Sequence, residues 1–229
     1  MASTNLSSAL GIKTDELTRR LYSNDASNYE EIPQGVHFPK NGQEIVDLVK
    51  YCAENKISIT ARAAGTSLAG QTTGGGVIMD TSRFMTQTVK LDIDAKKATV
   101  QPGVIRDTLN RELAPFQLLF GPDTSTTNRC MLGGMIGNNS SGSFSIKYGT
   151  VRDQIFSVDT VLSDGSEVTF KPLSDTELEA KTKLTTLEGQ IYREMLALLK
   201  AHGKLIKDNF PHPEITRRNT GYAIDKLLE

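Results

Sequence analysis

Cysteine is scarce in this chain. Cys52 and Cys130 stand alone and far apart, which excludes a thiolate zinc or iron–sulfur site within it and suits a reducing compartment. Histidine is nearly as sparse, and His37, His202 and His212 do not fall at metal-ligand spacing, so no metal site is expected. No apolar run approaches the roughly 20 residues that cross a bilayer. An excess of either charge is missing too. The 26 basic and 27 acidic residues leave a net charge of −1, which gives no electrostatic case for nucleic acid or an anionic membrane surface. Residues 1–5 lack the basic and apolar regions of a secretory signal and the arginines of a transit peptide. What remains is the expectation of a cytoplasmic globular protein. Its 229 residues, 38% of them hydrophobic, can bury the core of one ordinary domain, or of one plus a fragment.

Against this plain background one stretch organises the chain: Arg62-Ala63-Ala64-Gly65-Thr66-Ser67-Leu68-Ala69-Gly70-Gln71, then Thr72, Thr73 and Gly74-Gly75-Gly76. A β-branched segment, Ile57-Ser58-Ile59-Thr60, precedes it and Val77-Ile78-Met79 follows, so it reads as a wide loop between two strands. Its glycines let the backbone approach a ligand, and successive exposed N–H groups form a nest for phosphate oxygens. A long glycine-rich surface turn is the plainer reading of the same residues. Gly65 and Gly70 have the spacing of a Walker A loop, but Gln71 stands where its lysine must be and no amphipathic helix follows. The Rossmann order of strand, Gly-x-Gly-x-x-Gly and helix is also absent. A phosphate bound here sits on loop backbone without a helix dipole.

In order, the chain predicts a short helix over 14–22 with Asp15 and Glu16 in its first turn, then proline-punctuated extended structure. A helix follows, capped by Asn41 with Glu44 in a capping box, and Ile45, Leu48, Val49, Cys52 and Ala53 form its buried stripe. Strands are expected over 57–61, 77–80, 89–94 and 98–101. A helix over 104–113 turns Ile105 and Leu109 inward and Arg106, Asp107 and Arg111 outward. A second long loop spans 121–149 and is rich in Thr, Ser, Asn and Gly. Disorder is its plain reading, opposed by the interspersed Met131, Leu132, Met135 and Ile136, which need burial. A hairpin over 155–170 turns at Asp164-Gly165, and a later helix carries the stripe Leu187, Ile191, Met195 and Leu198 or Leu199.

Taken together, Arg62 to Gly70, Val100-Gln101-Pro102-Gly103-Val104, Gly121-Pro122-Asp123, the run Gly133-Gly134-Met135-Ile136-Gly137-Asn138-Asn139-Ser140-Ser141-Gly142, Lys147-Tyr148-Gly149 and Val161-Leu162-Ser163-Asp164-Gly165 resemble the FAD-binding (PCMH-type) domain of the vanillyl-alcohol oxidase flavoprotein superfamily. Within it the resemblance is to the FAD-linked D-lactate dehydrogenase and glycolate oxidase group, including long bacterial members with a C-terminal iron–sulfur domain. It covers roughly residues 25–170, and 217–227 resemble a further family segment.

The resemblance implies an α+β fold of two subdomains, with mixed sheets flanked by helices, around an extended FAD. Three divisions are expected: an N-terminal segment at 1–33, the FAD-binding domain at 34–171, and a helical segment at 172–229 leading to a substrate domain absent here. By position, Arg62, Ala64, Gly65, Thr66, Ser67, Leu68, Gly70 and Gln71 would hold the pyrophosphate. Pro122, Asp123, Thr124, Gly133, Gly134, Asn138, Ser140, Ser141 and Gly142 would line the rest, with Val158 and Val161 near the adenine end. Some relatives attach FAD through a histidine in the first loop, where Thr66 stands here, so a noncovalent flavin is expected. Arg62 would pair with a phosphate; a salt bridge to Asp80 or Asp123 is the alternative.

The implied activity is oxidation of a D-2-hydroxy acid of the D-lactate or glycolate type by hydride transfer to the flavin. No catalytic base is assigned, since His37, beside a predicted strand, reads as structural. The chain on its own is expected to be an inactive or nearly inactive fragment. The alternative is a stand-alone FAD- or nucleotide-binding subunit acting with a separately encoded catalytic partner. An iron–sulfur domain or subunit, the electron acceptor and any membrane association belong to parts outside this chain; the expected location is cytoplasmic or peripheral to the inner membrane.

Overall fold

The computed structural model describes residues 10–212, 214–215 and 222–228. Helix α1 (Glu16–Leu21) starts where Asp15 accepts a hydrogen bond from the Thr18 amide at 2.9 Å. Strand β1 (Gly35–His37), helix α2 (Gly42–Glu54), β2 (Ile59–Arg62) and β3 (Val77–Asp80) then build a parallel sheet in the order β1-β3-β2. Val77 lies opposite both Gly35 and Ile59, and Asp80 opposite Arg62. Parallel neighbours need a crossover, which is usually a helix. Between β2 and β3 the crossover is the glycine-rich stretch 63–76, which contains no helix.

Asn41 caps α2 by accepting from the Glu44 amide at 3.0 Å, but the Glu44 carboxylate reaches one residue further back than a capping box requires, to the Lys40 amide at 2.9 Å. The buried face of α2 also differs from the expected stripe: Val46, Leu48 and Cys52 are buried, Ile45 and Val49 are half-buried and Ala53 is exposed. The helix packs on two sides. Leu48 and Cys52 join Ile12 and Val77 in a core over the sheet. Residues 42, 46 and 50 make an i, i+4 row beneath a later hairpin, where Gly42 approaches Glu167 and Lys50 approaches Gly165.

The next part of the chain forms a second core. Strands β4 (Thr88–Asp92) and β5 (Lys97–Val100) pair antiparallel, and helix α3 (Arg106–Leu113) follows. Val104, Leu109, Leu113 and Leu132 cluster there, and Phe120 links them to Cys130, Met135 and Val151. Two expectations need correction. Arg106 is not outward: it is 8% exposed, because the carbonyls of residues 120–122 turn toward α3 and its guanidinium satisfies them. Nor is 121–149 a single loop. It contains α4 (Leu132–Gly137) and α5 (Ser145–Tyr148), and burial of Leu132 and Met135 holds α4 helical despite its three glycines.

Strands β6 (Val158–Val161) and β7 (Glu167–Phe170) form the hairpin over α2, turning at Gly165 with φ +79°. Helix α6 (Asp175–Thr182) carries a full capping box from Ser174 and Glu177, and α7 (Leu187–Asn209) packs on it. On α7, Leu187, Ile191, Met195 and Leu199 are half-buried while Leu198 is exposed. A 3-10 turn, Ile224–Leu227, returns to α7; the family-like residues 217–221 lie outside the described residues. Among the described residues no helix is long and apolar enough to cross a membrane. The architecture is α+β with small sheets and flanking helices, as expected; among the described residues one sheet is parallel and two are antiparallel.

Candidate functional site

The crossover 63–76 supplies the first part of the site. After Arg62 the chain leaves the sheet in open bends, and the left-handed conformations of Gly65 (φ +64°) and Gly70 (φ +73°) turn it back. Among the described residues, the amides of Ala64, Gly65, Thr66, Ser67, Leu68 and Gly70 donate to no acceptor. Five successive unpaired N–H groups, four of them on half-buried residues and the last on exposed Leu68, have the makings of a nest for an anion. The Ala69 amide is the exception, taken up by Gln71 Oε1 at 3.1 Å, which turns the Gln71 side chain back into its own loop.

Beneath the loop lies the Arg62 guanidinium. It stacks on Tyr22, 5.1 Å from the ring centroid, and its Nη1 donates to the Asn24 carbonyl at 2.7 Å. Neither expected carboxylate pairs with it. Asp80 accepts from the Tyr22 hydroxyl at 2.5 Å and the Ser82 amide at 2.7 Å, and Asp123 accepts from Ser143 Oγ at 3.0 Å and the Phe144 amide at 2.9 Å. Burial and the bond to Asp80 push the Tyr22 phenol well above its ordinary pKa, so it stays protonated and donating.

The segment before β1 also reaches this loop. The Ala26 amide donates to the Gly65 carbonyl at 3.1 Å, and Asp25 Oδ2 accepts from the Thr72 hydroxyl at 2.9 Å and the Thr72 amide at 3.3 Å. Burial would raise the Asp25 pKa, but hydrogen bonds from Ser27 and Thr72 outweigh it and hold the carboxyl below its usual range. In the sequence residues 25–29 only lead into proline-punctuated extended structure, and nothing there shows their contact with the loop.

The second part of the site is α4 and its flanks. The Gly133 amide donates to the Pro102 carbonyl at 2.8 Å, and a Cβ on Gly133 would crowd the Pro102 ring. A Cβ on Gly134 would lie 3.5 Å from Ala63 Cβ, so α4 packs against the start of the crossover and brings the two glycine-rich regions together. Ser140 is buried, donating its amide to the Met135 carbonyl and accepting from the Val151 amide. A Cβ on Gly142 would collide with the Asp123 carbonyl. Asn138 is exposed and Ser141 half-buried. Buried Pro122 gives its carbonyl to Arg106 Nε at 3.1 Å, and the Thr124 hydroxyl faces Thr126 and Cys130. Val158 and Val161 sit in β6, whose hairpin lies over α2.

Chemically the assembled loops offer backbone donors, small side chains and hydroxyls. Among the described residues no group of His, Cys, Asp and Glu could hold a metal. His37 is buried in β1, and burial lowers its pKa, so its ring is neutral. An open hollow of about 510 Å³, lined by Asp107, Asn110, Arg111, Ala114 and Asn128, shares no residue with the crossover.

Residues 33–171 match the protein family described as FAD binding domain. The chain is 31% identical over 221 residues to a D-2-hydroxyglutarate dehydrogenase of Pseudomonas putida, covering 95% of this chain and 22% of that protein. It is 34% identical over 214 residues to the enzyme of the same name from Escherichia coli, covering 92% of this chain and 21% of that one. A glycolate oxidase subunit GlcD from Bacillus subtilis is 36% identical over 150 residues, 64% of this chain and 32% of that subunit. The chain thus spans about a fifth of the length of the dehydrogenases it matches. Among solved structures, a xylooligosaccharide oxidase from Myceliophthora thermophila superposes with a TM-score of 0.64 at 22% identity, over 78% of this chain and 38% of that one. A 6-hydroxy-D-nicotine oxidase from Arthrobacter nicotinovorans gives 0.63 at 24% identity, over 73% and 36%. These likenesses establish the fold.

Proposed function

The chain belongs to the FAD binding domain family, and we propose that it is the FAD-binding part of an oxidoreductase acting on a D-2-hydroxy acid. One observation carries the site assignment. The unpaired amides of residues 64–68 form an anion nest, and α4 packs against its start where Gly134 meets Ala63. The nest suits the pyrophosphate of FAD: its donors are backbone, it carries no competing carboxylate contact from Asp80 or Asp123, and Arg62 lies directly beneath it. Gly133, Gly134, Asn138, Ser140, Ser141 and Gly142, with Pro122 to Thr124, would line the remainder. Thr66 in place of a histidine supports attachment without a covalent bond.

Bound flavin supplies a two-electron acceptor; the protein's own residues bind and orient it. The buried Arg106 fixes the carbonyls of residues 120–122 and so holds the Pro122–Thr124 segment in place. Residues that recognise and deprotonate the substrate would come from outside this chain. The names of the relatives support a small 2-hydroxy acid as substrate. An iron–sulfur domain or subunit and a separate electron acceptor would complete the electron path.

The test is the visible spectrum of the purified chain after incubation with FAD and desalting. Retained flavin is expected, with its loss in Gly65→Val and Gly134→Val. A side chain at residue 65 meets the Arg62 guanidinium and strains a backbone at φ +64°, and one at residue 134 presses α4 against Ala63, whereas Gly203→Ala on α7 should retain flavin. Full retention in both valine variants would mean that the cofactor lies elsewhere.

A further inference from the structure

We infer that residues 22–29, which precede the stretch matched by the family, are part of the cofactor site: they strap the amide run of residues 64–70 into its open form, with Asp25 as the positioning residue. This rests on reading that run as the pyrophosphate seat.

Unpaired amides cannot hold their own loop open, so the shape must be imposed from outside it. The strap grips the loop at both ends. Near its start, Asn24 accepts from Arg62 at 2.7 Å, and the Ala26 amide takes the Gly65 carbonyl at 3.1 Å. That second bond turns a carbonyl dipole, which would repel an anion, away into the protein. Near its end, Asp25 Oδ2 holds the Thr72 amide and hydroxyl, and the Tyr29 ring lies against Gly70, where a Cβ would come 2.8 Å from its edge.

The strap is itself fixed. Asp25 Oδ1 accepts from the Ser27 amide at 2.8 Å, the Ser27 hydroxyl accepts from the Tyr29 amide at 3.1 Å, and the Glu31 amide closes on the Ser23 carbonyl at 2.8 Å. Tyr22 anchors its leading end to Asp80 at the tip of β3. Each Asp25 oxygen therefore has one role, Oδ1 shaping the strap and Oδ2 holding the loop. The donors of Ser27 and Thr72 occupy both, so the carboxylate is not left bare beside an anion.

Two readouts separate this inference from the cofactor reading. The first is FAD affinity, from quenching of flavin fluorescence, in wild type, Asp25→Ala, Thr72→Val and the double variant. The second is the rate of tryptic cleavage after Arg62, measured without FAD. Each single variant should weaken FAD binding by about tenfold or more and raise cleavage at least about fivefold. The double variant should be no worse than the worse single one, since both act through one contact. Asp164→Ala, which breaks a similar Asp–Ser turn in the β6–β7 hairpin, should change neither readout. Cleavage in Asp25→Ala equal to wild type, or FAD affinity within about twofold of it, overturns the strap. If wild type takes up no FAD while cleavage rises as stated, the cofactor reading fails and the strap stands as the loop's support.

Discussion

Replacing Arg106 with methionine tests how the second half of the site is held. Methionine keeps much of the aliphatic length and removes every donor. Three carbonyls are affected: Pro122 at 3.1 Å from Nε, and Phe120 and Gly121 at 3.2 and 3.4 Å from Nη2. The Phe120 carbonyl keeps a partner, because Asn110 Nδ2 also donates to it at 3.3 Å. Gly121 and Pro122 are buried, and their carbonyls gain no replacement among the described residues. Asp107 loses its ion pair at 3.0 Å, but its side chain is 39% exposed and water takes over at little cost. Two buried carbonyls left unpaired, at about 1–3 kcal/mol each and partly relieved by local movement, give a loss of about 3 kcal/mol. For a chain of this size that lowers Tm by about 6–12 °C. Arg106→Lys, with one compact cation able to reach one carbonyl, should fall between. Thermal unfolding followed by circular dichroism is the assay. A fall in Tm below about 2 °C for the methionine variant would show that the segment 120–122 does not depend on Arg106.

Gly76 sits where the crossover re-enters the sheet, and a Cβ there would fall on the Ser58 carbonyl oxygen, the acceptor of the Val77 amide. Gly76→Ala should therefore cost about 1–3 kcal/mol or more, read as a lower midpoint in urea, and an unchanged midpoint would contradict the packing described. His37 gives a pH prediction. Its folded pKa lies below the ordinary 6.5, first through burial, with the Glu44 charge and the Leu10 backbone opposing. The unfolded chain thus binds the proton first, so this contribution is fully present above about pH 6.5 and is lost as the pH falls toward the folded value. Wild type should lose stability between pH 6.5 and 5 more steeply than His37→Gln, and parallel curves would refute the assignment.

Some of this was legible in the sequence because the requirement is local. A glycine with positive φ, as at residues 65, 70 and 165, declares itself through the residues beside it, and so did the Asn41 cap; Asp15, expected inside the first turn, is instead the residue that caps it. Arg106 was misread because helical period reports a residue's angular position and not the carbonyls that a distant segment turns toward it. Helix α4 was hidden by its glycines; what stabilises it is burial of Leu132 and Met135, a tertiary effect. Val46 lay off the expected stripe because α2 packs on two surfaces, and a single moment can point only one way. The strap was invisible as a partner of the loop because Asp25 and Thr72 are 47 residues apart.

The strand order β1-β3-β2 also bears on how the protein is made. Strands β1 and β2 leave the ribosome first, yet they are not neighbours; in the parallel sheet each lies beside β3, which follows residue 76. Until Val77 to Asp80 emerge, β2 lacks its parallel partner and β1 has only the single bridge between Val36 and Lys13 among the described residues. Insertion of β3 between them is a non-local closure of the kind that slows folding. The same insertion ties off both ends of the crossover. Synthesis therefore cannot yield the sheet first and the nest later: the nascent chain acquires both when its central strand arrives, and a chain stalled before residue 77 would have neither.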